Sequence, residues 1–313
     1  MLNGEKIIMV LVAGEFLLGF LGNGFMVLVN GIDWIKSKKF ATVDLILVHL
    51  AISRIGLLCT LISISSQLIC CLAEFLVNKS QAVDIFWILT HLSSIWSGTS
   101  LSVFYFLKIA NFSHPLFLWL KWRINQVVHM LQVGPFLIAL FINLLLFTKT
   151  YNFTFNIENN TKAFPGLQMN GSQYITLQVI VNFLSLLPFT LSLFSFFSLI
   201  LSLWRHTLQM KLNATESKDS STEAHVRAMK ATFCFLFLFI LFNLSSSIAQ
   251  WSHIIPNKKL AVMFGFPLMV LYPSGHSLIL ILYNSKLRQA ALKMWWQVRC
   301  FLRVNCNRLS FSY

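Results

Sequence analysis

The chain has 313 residues, 57% of them hydrophobic and only 11% charged, with a formal net charge of +14. A soluble globular domain carries about 25% charged residues, so the composition rules against a soluble enzyme or a soluble all-α bundle. The positive balance does not point to nucleic acid either, because the cations sit in short stretches beside apolar runs, where anionic inner-leaflet lipid is their counterpart.

In chain order, apolar runs at residues 7–30, 43–72, 82–108, 127–148, 174–204, 229–251 and 260–283 each reach the ~20 residues that cross a ~30 Å hydrocarbon core. They predict an all-α membrane protein, a bundle of seven transmembrane helices forming one domain over residues 1–313. The first run serves as its own insertion signal: Glu5 and no basic cluster precede it, and no small-residue cleavage site follows. Lys36, Lys38 and Lys39 come after it, and Lys108, Lys121 and Arg123 after the third run. Arg205, Lys211, Lys218 and Arg227 separate the fifth run from the sixth, whose second residue is Lys230, while Lys286, Arg288, Lys293, Arg299, Arg303 and Arg308 follow the seventh. The opposite side holds only Lys6, Lys79, Lys149, Lys162, Lys258 and Lys259. Because cytoplasmic loops retain Lys and Arg, the expected protein is multi-pass in the plasma membrane, with its N-terminus extracellular and its C-terminus cytoplasmic.

The longest outer connection, residues 149–173, carries Asn152-Phe153-Thr154, Asn159-Asn160-Thr161 and Asn170-Gly171-Ser172, so Asn152, Asn159 and Asn170 are expected N-glycosylation acceptors. Asn111 and Asn213 head matching triplets on the inner side, where glycosylation does not reach. That outer loop has no cysteine, which leaves it no disulfide to the third helix. Cys300 and Cys306 fall in the basic tail, either palmitoylated beside the membrane or plain reduced thiols. Residues 285–300 mix Lys286, Arg288 and Lys293 with Leu287, Leu292, Trp295 and Trp296, the pattern of a short amphipathic cytoplasmic helix lying in the interface.

Charge inside a membrane is expensive and is kept for function. Arg54 is the one deep charge here; Glu15 and Asp44 lie nearer span ends, and His91 and His276 are the imidazoles within spans. An ion path wants a chain of acids, and no inverted repeat of broken spans is visible, so a small-solute transporter or channel is the disfavoured alternative. His-Glu-x-x-His, Gly-x-Ser-x-Gly and Cys/His clusters are lacking, hence no enzyme, metal or cofactor is expected. Arg54 lies about eleven residues, roughly 16 Å, from the inner end of its span. Asn23 and Ser274 share that depth, and the three are expected to form a buried network, acting either as a structural clamp or as a switch.

The segment Leu101-Ser102-Val103-Phe104-Tyr105-Phe106-Leu107-Lys108-Ile109-Ala110-Asn111-Phe112-Ser113-His114-Pro115 resembles the third-helix signature of the bitter taste (type 2 taste) receptors. Leu50-Ala51-Ile52-Ser53-Arg54 resembles their second helix, and Leu199-Ile200-Leu201-Ser202-Leu203-Trp204-Arg205-His206 their fifth. Tyr272-Pro273-Ser274-Gly275-His276-Ser277-Leu278 with Asn284-Ser285-Lys286-Leu287 resembles their seventh. Tyr283 replaces a common glycine and Gly275 a common serine or cysteine.

This resemblance implies a G-protein-coupled chemosensory receptor that binds small bitter-type agonists and activates a heterotrimeric, gustducin-like G protein. A vomeronasal-type pheromone receptor is the neighbouring alternative. It implies an agonist site in the outer bundle, with Trp87 as a stacking platform. Thr90 and His91 share its face by i, i+3, i+4 spacing; Phe242 and Trp251 come from the sixth helix and Phe266 from the seventh. His91 stands where asparagine is commoner, either touching agonist or satisfied by an interhelical hydrogen bond. Phe266 stands where several relatives carry glutamate. Tyr105, Lys108 and His206 are the implied coupling surface. Agonist, G protein and lipid membrane are the expected partners, and nucleic acid is not.

Overall fold

A computed structural model of the chain describes residues 2–38, 41–70, 81–158, 171–212, 220–250 and 258–310. Among these residues there is no strand, and the helices are α1 (Leu2–Ser37), α2 (Thr42–Cys70), α3 (Gln81–Ile109), α4 (Pro115–Trp122), α5 (Ile124–Glu158), α6 (Gly171–Leu212), α7 (Ser220–Gln250), α8 (Lys258–Tyr283) and α9 (Ser285–Ser310). Each apolar run, as far as it is described, lies within one helix, but the helices overrun the runs. Backbone hydrogen bonding does not stop where hydropathy falls, so α5 continues to Glu158, α6 begins at Gly171, and α9 extends to Ser310. The outer connection is thereby shorter than expected: Asn152 lies on α5, while Asn159, Asn170 and Trp251 lie outside the described residues.

The unexpected helix is α4. Pro115 begins it, where a missing N–H costs nothing, after an extended His114 (φ −71°, ψ 133°). Lys121 Nζ then reaches back to Ala110 O and Asn111 Oδ1, both at 2.9 Å, pinning the residues between α3 and α4.

Among the described residues six helices, α1, α2, α5, α6, α7 and α8, are long and apolar enough to cross a membrane. Their outward faces expose residues such as Leu21, Leu28, Phe183, Phe194 and Phe233, which suit lipid and not water. The seventh expected span, α3, is as long but less apolar, because Ser93, Ser94, Ser97, Thr99, Ser100 and Ser102 interrupt it. All six are buried, and α3 packs against α2, α5, α6 and α7. The polarity is absorbed locally: Ser97 donates to Ser93 O (2.6 Å), Ser100 to Trp96 O (2.8 Å) and Ser102 to Gly98 O (3.1 Å). Polar ties also run outward, from Ser97 Oγ to Gln132 Oε1 (3.1 Å) and His49 Nδ1 (2.8 Å), and from Thr99 Oγ1 to Pro188 O (3.1 Å). Small residues let helices come close, as membrane packing requires. A methyl group on Gly98 would collide with the Phe235 ring of α7.

Asn284 separates α8 from α9 and caps the latter, its Oδ1 accepting from the N–H groups of Lys286 (3.0 Å) and Leu287 (3.2 Å). Lys286 Nζ bonds Asp33 of α1 at 2.7 Å and Asp44 of α2 at 2.9 Å, so α9 is tied to both helices. Burial opposes the charge on Lys286, but hydrogen bonds and attraction from the two carboxylates outweigh it and raise its pKa above the ordinary lysine value. Beyond Leu287, which is buried, α9 exposes Met294, Trp295, Trp296 and Phe301.

Candidate functional site

At the end of α3 remote from the basic connections, Trp87 and His91 lie one turn apart and stack, ring centroids 5.0 Å apart and only 6° from parallel. Phe242 of α7 closes on the other face of His91 at 4.9 Å and 24°. Tyr272 of α8 lies 5.3 Å beyond Phe242, with its hydroxyl 3.4 Å from Ser94 Oγ. The result is a buried aromatic column crossing from α3 to α7 and α8. Within it His91 Nδ1 has no hydrogen-bond partner among the described residues. A buried polar nitrogen without a partner is costly, so the edge of the stacked imidazole holds an unused hydrogen-bonding position within the column.

The column unites Trp87, His91 and Phe242, but Thr90 turns away. Its hydroxyl back-bonds to Phe86 O (2.8 Å) and Trp87 O (3.2 Å), and its methyl faces Gly56 of α2. The i, i+3 spacing places it beside Trp87 on the helix surface, yet α2 packs on that side. Phe266 is buried on α8 ahead of Tyr272, and Trp251 lies outside the described residues. The column also reaches further inward than expected. Phe239 stacks on Phe189 (5.6 Å) and Phe235 (6.0 Å), and Phe235 meets His276 (5.5 Å). The i, i+3, i+4 recurrence of aromatic residues at 235, 239 and 242 was the available sequence signal.

Deeper lies Arg54, fully buried on α2. Nη1 donates to Ser277 Oγ at 3.3 Å, Nη2 bonds His276 Nδ1, and the guanidinium sits 5.4 Å from the Tyr272 ring centroid. A guanidinium can only donate, so His276 Nδ1 accepts and the neutral imidazole carries its proton on Nε2. Ser277 Oγ contacts Asn23 Oδ1 and Pro273 O, both at 2.7 Å, while Asn23 Nδ2 donates to Gly19 O (2.7 Å) and Pro273 O (3.2 Å). The expected network of Asn23, Arg54 and Ser274 is thus corrected in one member. Ser277 stands between Asn23 and Arg54, whereas Ser274 packs on Gly19 with no hydrogen-bond partner among the described residues. Depth counting put Asn23, Arg54 and a serine of α8 at one level but did not give the direction in which α8 presents each serine.

At the basic end, Tyr105 lines a narrow crevice with Ser102, Ala231, Thr232 and His276, directly below the Arg54 network. Lys108 is exposed, its ammonium 5.2 Å from the Phe104 ring centroid. His206 of α6 stacks on His225 of α7 at 6.0 Å, and His225 Nε2 lies 3.4 Å from Ser202 Oγ. These positions lie at the basic ends of α3, α6 and α7, with His225 added to the expected set.

Residues 1–299 match the model of the family described as taste receptor protein (TAS2R). The chain is 46% identical to taste receptor type 2 member 7 of Papio hamadryas over 304 residues, covering 96% of both chains. It is 44% identical to taste receptor type 2 member 8 of Homo sapiens over 294 residues, covering 93% of this chain and 95% of the relative.

Proposed function

The chain belongs to the taste receptor (TAS2R) family of G-protein-coupled receptors, a receptor and not an enzyme family, and from that premise we propose how it receives and passes on a bitter signal. The protein is a multi-pass membrane receptor in the bitter-taste class. The proposed agonist is a small apolar or amphipathic molecule that enters the column of Trp87, His91 and Phe242. Its ring would part the stacked side chains and a polar group would pair with His91 Nδ1. That unpaired nitrogen, buried between two aromatic rings, is the observation that carries the reading.

Binding that favours one arrangement of α7 against α3 shifts the population toward it. A contact that such a movement would change is Phe235 on Gly98, with Phe235 touching both Phe239 of the column and His276 of the Arg54 network. Tyr105, Lys108 and His206 form the proposed surface for a gustducin-like G protein on the cytoplasmic side. The N-terminus and any glycan on Asn152, Asn159 or Asn170 face outside the plasma membrane.

A compound screen in cells carrying a gustatory-type G protein tests this reading. Compound-dependent G-protein activation without substrate flux is expected. Flux of a solute without G-protein activation would overturn it in favour of a transporter.

A further inference from the structure

At the basic end, the start of α2, the close of α3 and the α4–α5 corner enclose an open groove of about 430 Å³, lined among others by Thr42, Phe104, Leu107, Lys108, Lys121 and Asn125. Its floor is apolar: Phe104 and Leu107 are buried beneath it. Its rim is cationic and polar. The Lys108 ammonium stands over the Phe104 ring, and Thr42 Oγ1 donates to Asn125 Oδ1 at 2.6 Å. Among the described residues Lys121 hydrogen-bonds only the neutral acceptors Ala110 O and Asn111 Oδ1 and stands 5.6 Å from the Phe117 ring centroid, which leaves one of its three ammonium protons without a hydrogen-bond acceptor.

Among the described residues neither lysine meets a carboxylate, and the nearby acids Asp33 and Asp44 are both engaged by Lys286. The groove therefore carries uncompensated positive charge above an apolar floor. Its depth is marked by α4, which exposes Leu116, Leu118, Trp119 and Trp122. Exposed tryptophans beside a spanning bundle sit at headgroup level, and Lys121 belongs to that same helix.

We infer that this groove holds the phosphorylated headgroup of an anionic inner-leaflet lipid, with Lys108 and Lys121 on the phosphate and Phe104 and Leu107 beneath the glycerol backbone. The site lies apart from the agonist column but shares Lys108 with the proposed coupling surface, and it rests on the proposed function for which leaflet it faces.

The full-length protein in phosphatidylcholine nanodiscs is titrated with a fluorescent phosphatidylinositol bisphosphate. Saturable binding is expected, weakened about twenty-five-fold by Lys108→Ala combined with Lys121→Ala, roughly fivefold for each lysine near a membrane surface. Lys121 also pins the residues between α3 and α4, so Ala41→Trp, which fills the mouth of the groove and spares both lysines, is the second variant and is expected to weaken binding comparably. Equal weakening by Lys293→Ala on α9 would reduce the effect to general attraction by a basic surface and overturn the site. Competition by soluble inositol trisphosphate as strong as by the lipid would assign the groove to a free phosphate and overturn the lipid. Binding unchanged in both groove variants would overturn the inference altogether. No signalling is read, so its failure is distinct from failure of the receptor reading.

Discussion

Arg54 of α2 donates to Ser277 Oγ of α8 at 3.3 Å, whereas Ser274, a turn earlier on that helix, has no hydrogen-bond partner among the described residues. The two serines therefore differ sharply in what their loss removes. Ser277→Ala leaves Arg54 Nη1 and Asn23 Oδ1 short of a partner, and a stranded buried group costs about 1–3 kcal/mol. Ser277→Ala and Arg54→Leu are expected to lower the detergent unfolding temperature and alter basal signalling, while Ser274→Ala leaves both near the parent. Equal effects at the two serines would remove the network from the account.

Gly98→Ala drives a methyl group into the Phe235 ring. Overpacking of this kind costs about 1–3 kcal/mol, so reduced surface expression and a lower unfolding temperature are expected. Adding Phe235→Leu restores part of both. A Gly98→Ala protein indistinguishable from the parent would mean that α3 and α7 are further apart than described.

Trp87→Ala removes one face of the His91 stack. Loss of an aromatic pair worth around 1 kcal/mol is expected to raise the agonist concentration for half response roughly fivefold, with surface expression near normal. His91→Asn keeps a polar group at the same place and is expected to change which compounds activate. Unaltered potency for every active compound in both variants would move the agonist site elsewhere.

Lys286→Met breaks the ties to Asp33 and Asp44. Partly exposed ion pairs contribute at most about 1 kcal/mol, so the expected fall in unfolding temperature is about 2–4 °C. The pH dependence has a definite sign. The folded state raises the pKa of Lys286, so its stabilisation is complete below the ordinary lysine value and is lost as pH rises through the raised one. Alkaline titration of the parent should therefore converge on the Lys286→Met protein, and scans near neutral pH should keep them apart.

Glycan placement reports orientation. Replacing Asn152, Asn159 and Asn170 together with Gln is expected to abolish most of any enzyme-sensitive shift in mass. A shift that depends on Asn111 or Asn213 would put the basic connections outside.

The helices were legible because membrane-spanning runs are long and, in all but α3, strongly apolar, and the motif around Tyr272 and Asn284 was legible because it is local. What the sequence left open is which side of a helix faces which neighbour. Thr90 turned to α2, not to the column, because packing and not spacing alone decides orientation. Ser277 replaced Ser274 for the same reason. The helix α4 was hidden in a stretch read as a loop, since eight residues give too little periodicity to stand out. The unpartnered Nδ1 of His91 needed the opposing ring of Phe242, far away in sequence, before it had any meaning.

The serine-rich character of α3 bears on how the protein is made. A segment leaves the translocation machinery for lipid according to its own apolarity, and α3 has less of this than its neighbours. The groups that complete its polar face, Gln132 on α5, Pro188 on α6 and Tyr272 on α8, are all synthesised after it; His49 alone comes before. For much of translation α3 is thus a helix awaiting its companions, and delivery to the cell surface is expected to fall when the later helices that enclose it are truncated or slow to arrive.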